Sequence, residues 1–155
     1  MRLSCQKALL ALLIVTIGCR DATEPSPQPR SRLFLLESVD GRPLPTIIDA
    51  GAGDTTHVLW SSVTLDTSGH AVTVNHLRHV YLQYPPEENT YALRQAYRMK
   101  GDSIEIGSFQ PCPPGAMCVG NLHGALTDST LAIAEWYNPY PTNPIIYLYR
   151  LVQEY

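Results

Sequence analysis

A chain of 155 residues is one domain's worth, and a hydrophobic content of 45% is enough to fill one core. The formal net charge is −3, with 16% charged residues against the roughly 25% usual in soluble domains. That balance excludes an electrostatically driven nucleic-acid binder, which needs a basic footprint, while thirteen prolines and ten glycines argue against long helices.

The N-terminus carries Arg2 and Lys7, then residues 8–17 without a charge, then Gly18-Cys19. Two cations, a short apolar run and a small residue make a secretory signal. The run is too short to cross a bilayer as a helix, which takes about 20 residues. A buried core helix is the competing reading, but only Thr16 offers it a polar face. Thr16-Ile17-Gly18-Cys19 resembles a bacterial lipobox, in which a small residue precedes the cysteine. The resemblance implies cleavage before Cys19, diacylation of Cys19 and a lipid anchor in the cell envelope; ordinary signal cleavage near Ala22 is the alternative. Arg20 follows where an Asp would favour the inner membrane, so the resemblance implies an outer-membrane location facing the periplasm. Several acyl chains attach stably, at about 0.8 kcal/mol per buried CH₂. Loss of residues 1–18 removes Arg2 and Lys7 and leaves nine basic against fourteen acidic residues, a mature net charge of −5.

Residues 19–32 follow as the lipidated cysteine and a linker. Pro25, Pro27 and Pro29 alternate there among polar residues, which predicts an extended, polyproline-like spacer. The folded domain is predicted over residues 33–155.

Its first strand is read at 33–39, closed by the Asp40-Gly41 turn. Pro43 and Pro45 forbid helix, and Ile47-Ile48 make a brief strand before the break at 51–54. Residues 57–66 are rich in strand formers and lead to a hairpin tip at Thr67-Ser68-Gly69-His70. A strand at 71–84, a polar loop at 85–89 and a strand at 91–100 follow, then a tip at Gly101-Asp102. Residues 103–109 alternate around Ile104 and Ile106, and a loop at 110–120 holds Cys112 and Cys118. Residues 121–127 and 130–137 form another hairpin about Asp128-Ser129, with Leu131 and Ile133 on one face. After Pro141 and Pro144, residues 145–153 end the chain as a strand.

Eight or nine short strands joined by turns make an antiparallel meander. Closing it into a small barrel of about eight strands buries one face and removes the edges, with residues 145–153 pairing back on 33–39. A two-sheet sandwich is the alternative. The stretches Phe34 to Pro45, Tyr97-Arg98-Met99-Lys100-Gly101-Asp102-Ser103-Ile104 and Gly124-Ala125-Leu126-Thr127-Asp128-Ser129-Thr130-Leu131 are similar to those of small lipocalin-like bacterial lipoproteins. The resemblance implies a lipocalin-like barrel and says little about function, because functions are grafted onto folds.

Cys112 and Cys118 in P-C-P-P-G-A-M-C are predicted to form a disulfide in an oxidising compartment, worth roughly 2 kcal/mol for so short a loop. A redox pair or a metal site is the alternative, and both the spacing and the lack of a nearby His speak against it. No metal site and no cofactor are expected: His76 and His79 are three apart, which on a strand sends them to opposite faces. Eight of the nine tyrosines, at 81, 84, 91, 97, 137, 140, 147 and 149, are candidates for a mouth taking an amphipathic or sugar-like ligand. The plain alternative is that Tyr suits half-buried strands. Ser61, Ser62 and Ser68 sit in no nucleophile elbow, Glu87-Glu88 reads as a solvated pair, and Gly51-Ala52-Gly53-Asp54 lacks a phosphate-binding Lys, so no enzyme is expected.

Two functions remain. One is a lipid-anchored barrel holding a small apolar or amphipathic ligand at its open end, with Trp60 or Tyr97 as ligand-binding residues. The other is a filled barrel that contacts another envelope protein through its loops around Cys112–Cys118 and Tyr137–Pro141. Large inward Leu, Ile, Met and Tyr residues favour filling.

Overall fold

A computed structural model describes residues 30–51, 53–111, 120–135 and 143–155. They form ten strands: β1 (Arg32–Val39), β2 (Arg42–Pro43), β3 (Thr46–Ala50), β4 (Thr55–Leu65), β5 (His70–Val80), β6 (Glu87–Lys100), β7 (Ser103–Gly107), β8 (Leu122–Leu126), β9 (Thr130–Glu135) and β10 (Ile145–Glu154). Among the described residues there is no helix. Strands β4 to β10 run as an antiparallel meander, β10 returns to β1, and β1 pairs with β4 to close an eight-stranded barrel. The expected closure is present, with Leu33 opposite Gln153 and Val39 opposite Tyr147. The two-sheet sandwich is excluded, because one ring of hydrogen bonds joins all eight strands.

Toward one end β1 and β4 diverge. Arg32 to Leu35 pair with β4, whereas Ser38 and Val39 pair with β2, and β3 lies on the first residues of β4. Thus β2 and β3 stand outside the ring, each on an edge that the divergence leaves.

Turn chemistry explains the tips. Asp40 and Gly41 both take positive φ, 49° and 74°, the backbone twist that a tight hairpin needs. At the β4–β5 tip Asp66 Oδ1 accepts from His70 N (2.8 Å), Ser68 N (2.9 Å) and Ser68 Oγ (2.7 Å). These bonds, His70's foremost, hold the Asp66 carboxyl below the usual carboxylate range. The region after β5 departs from expectation. β5 stops at Val80 and β6 starts at Glu87, so Glu87 and Glu88 face His79 and Arg78 in a ladder rather than lying in a loop. Pro85 and Pro86, which lack the N–H a ladder needs, mark the boundary.

The barrel has a closed end and an open one. At the closed end stand the three hairpin tips, the start of β1 and the end of β10. Arg32 Nη2 donates to the carbonyl oxygens of Thr127 (2.9 Å) and Asp128, and the Tyr97 hydroxyl donates to that of Asp66 (2.9 Å). Phe34, Val63, Leu65, Ala71, Ile104, Ile106 and Leu131 fill this half. Met99, two residues past Tyr97 and on the same face of β6, stands at the strand's end beside the Gly101-Asp102 tip and is exposed. The open end is built differently. β6 pairs with β7 only from Ala96 to Lys100, so the first nine residues of β6 have no partner strand on that side among the described residues.

Candidate functional site

Above the filled half lies a cavity of about 160 Å³. β4, β5, β6, β8, β9 and β10 all contribute to its wall. Val58, Leu77, Leu93, Leu122 and Ile133 make the apolar part, with Ile48 of β3 closing over the gap between β1 and β4. Thr73, Asn75, Gln95, Glu135, Tyr147 and Tyr149 make the polar part. On β4 and β5 the polar groups lie deeper than the apolar ones: Ser61 is below Val58, and Asn75 is below Leu77.

Ser61, 2% exposed, anchors the floor. Its hydroxyl donates to Asn75 Oδ1 at 2.5 Å and lies 3.2 Å from the Tyr149 hydroxyl. Because Ser61 has one hydrogen and gives it to Asn75, the Tyr149 hydroxyl is the donor in the second bond. Burial, foremost, pushes the Tyr149 phenol up to about 12, and the nearby Glu135 carboxylate acts in the same direction. Glu135 stands one inward position beyond Ile133 on β9. Burial raises its carboxyl above the usual glutamate range, and a hydrogen bond from Tyr147 draws it partly back. Among the described residues the cavity is unsealed on one side: Leu93 lines it yet is 54% exposed, and Tyr91, on the same face of β6, is 50% exposed, because no described strand pairs with this part of β6 on that side.

Ser61 is no activated nucleophile, since its hydrogen goes to an amide oxygen and not to a base. The arrangement suits binding: satisfied polar groups at fixed positions, an apolar wall and an open side.

Neither aromatic singled out from the sequence lines this cavity. Trp60 lies on the outer wall, its ring stacked on His76 with centroids 5.7 Å apart. The cause is a β-bulge between Val58 and Trp60 that shifts the alternation, turning Ser61 inward and Trp60 outward. Tyr97 does face inward but at the closed end, where it caps the core. Of the eight candidate tyrosines, Tyr147 and Tyr149 line the cavity and Tyr91 flanks its opening. Cys19, Cys112, Cys118 and the stretch Tyr137–Pro141 fall outside the described residues. His76 and His79 do point to opposite faces: His76 outward to Trp60 and Thr90, His79 to Thr56 at the rim.

Sequence reasoning missed Ser61, Asn75 and Glu135. A signal for two of them was present. Extending the Leu131/Ile133 alternation by one step puts Glu135 inside, and running Leu65/Val63 backward puts Ser61 inside. No protein-family model, curated protein or solved structure matches the chain.

Proposed function

We propose that this chain is a lipid-anchored cell-envelope barrel that binds a small amphipathic molecule in its open-end cavity. The observation that carries the reading is the pairing of a satisfied polar floor, Ser61–Asn75–Tyr149, with an apolar wall left open past Leu93. A barrel built only as a filled scaffold has no use for buried hydroxyls and a half-buried carboxyl, since apolar side chains fill such space at lower cost. The volume bounds the ligand: an apolar cavity of roughly 150 Å³ takes benzene, so the guest has a head or body of about that size. The anchor rests on the lipobox-like Thr16-Ile17-Gly18-Cys19, with Cys19 as the acylated residue and the outer membrane as the destination. The small lipocalin-like bacterial lipoproteins are the proposed kin. Cys112–Cys118 is the proposed disulfide, read by intact mass after alkylation with and without reduction.

A second reading, an interaction module, draws on the outer wall, where Trp60 is 44% exposed beside His76. Native mass spectrometry of the chain purified from its source separates the two. A co-purifying small molecule lost from a Ser61→Leu variant, which fills the floor, supports the binding barrel. A stoichiometric protein retained by that variant and lost from Trp60→Ala supports the module.

A further inference from the structure

Among its described lining residues the cavity has one carboxyl and no basic side chain. Glu135 is the only acid among its described lining residues, and no Lys, Arg or His is among them. The connections leaving β7 and β9 at this end include segments 112–119 and 136–142, and their sequences contain no charged residue and no histidine. A carboxylate half-withdrawn from water therefore has a hydroxyl partner but no cation among the described lining residues.

We infer that the ligand is a cation, a small amphipathic primary amine whose ammonium group pairs with Glu135 while its apolar part lies on Leu77, Leu93 and Ile133. The inference rests on the binding-barrel reading and names its ligand class. An ammonium has three donors and no acceptor, which matches a wall offering the Glu135 carboxylate, the Asn75 amide oxygen and tyrosine oxygens. Tyr147 and Tyr149 add aromatic rings beside a bound cation. A carboxylic acid ligand would set a second negative charge beside the first with nothing to neutralise it. The rim works in the same direction. Strand ends and turns there carry Asp40, Asp49, Asp54, Glu87 and Glu88 against Arg42 and Arg78, an acidic approach that concentrates cations. A bound ammonium also removes the cost of ionising a buried carboxyl, so binding and Glu135 ionisation reinforce one another.

The test is calorimetric titration of the full-length chain at neutral pH with three probes of equal length: pentylamine, pentanol and pentanoate. The expected order is pentylamine at least tenfold tighter than pentanol, with pentanoate weakest. Glu135→Gln should erase the preference for pentylamine and leave pentanol within about twofold of its original affinity. Glu135→Asp, which keeps the charge, should keep the preference. Carboxyl-carbon NMR of the unsubstituted chain gives a second readout that needs no variant. Pentylamine should move the Glu135 titration downward; Tyr147 and Tyr149 are the other titratable groups among the described lining residues, with Tyr91 and His79 at the opening. Equal binding of pentylamine and pentanol, or a preference that survives Glu135→Gln, would overturn the amine assignment and leave the binding barrel standing. If none of the three probes binds, both the assignment and the reading beneath it fall.

Discussion

Tyr149 shows how a single side chain ties stability to the site. Its phenol is 4% exposed, its hydroxyl donates to Ser61, and burial holds its ionisation near 12. An unfolded-chain tyrosine ionises near 10. Between those values the folded chain keeps a proton that the unfolded chain has lost, so stability falls as pH rises from about 10 to 12 and is unaffected by this group below. The fall should total roughly 2–3 kcal/mol, at about 1.4 kcal/mol per unit. Urea titrations across that range should show the slope, and Tyr149→Phe should remove most of it while costing about 1 kcal/mol at neutral pH for the lost hydrogen bond. An unchanged alkaline slope in Tyr149→Phe would place the proton elsewhere. The site's residues were only partly legible beforehand because their polarity depends on partners far along the chain. Ser61 lies 88 residues from Tyr149 in sequence, and only barrel closure brings their hydroxyls together. The Leu65/Val63 alternation turns Ser61 inward, but nothing local marks an inward serine as the floor of a cavity.

At the scale of the strands, the turns carried most of the information. Asp40-Gly41, Ser68-Gly69, Gly101-Asp102 and Asp128-Ser129 all punctuate strands where the sequence placed them. The bulges did not announce themselves, and they decide facing. The one in β1 keeps Leu36 and Val39 on the same inward face although they are three residues apart, and the one in β4 exchanges Trp60 for Ser61. Such an offset is visible only as two apolar runs out of phase, Val58 against Val63 and Leu65, and it is easily taken for a break. Strand spacing also depends on small residues. A Cβ added at Gly124 of β8 would collide with the carbonyl oxygen of Ala132 in β9 and press on Ile104 Cγ2 at 3.2 Å. Backbone cannot yield as a flexible side chain can, so Gly124→Ala should cost about 1–3 kcal/mol in urea denaturation. Gly51→Ala, where the added methyl meets nothing within 4 Å, should stay within about 0.5 kcal/mol. Equal midpoints for the two variants would mean that β8 and β9 can part without loss.

For the whole molecule, the proposed lipid anchor would turn the polarity of the barrel into an orientation at a membrane. β1 begins at Arg32, at the closed end, beside Thr127 and Asp128, whose carbonyls its guanidinium binds. A tether from the proposed acylated Cys19 would therefore join the domain at the end opposite the cavity. If residues 20–30 take the polyproline form their prolines favour, they would reach roughly 30–35 Å, enough to lift the domain. The acidic rim adds a second bias, since an anionic lipid surface repels it. The cavity mouth should thus face away from the anchoring membrane, open to solutes in the surrounding compartment. With strands of about ten residues tilted across the barrel, the two ends differ in height by roughly 25 Å. Energy transfer measures this directly. A dye on Asp102→Cys at the closed end should transfer more strongly to an acceptor lipid than a dye on Asp54→Cys at the mouth. Adding Cys19→Ala to either labelled chain should release it from the vesicles and abolish transfer. Stronger transfer from position 54 would invert the orientation, and transfer that survives Cys19→Ala would mean that something other than the acyl chains holds the protein to lipid.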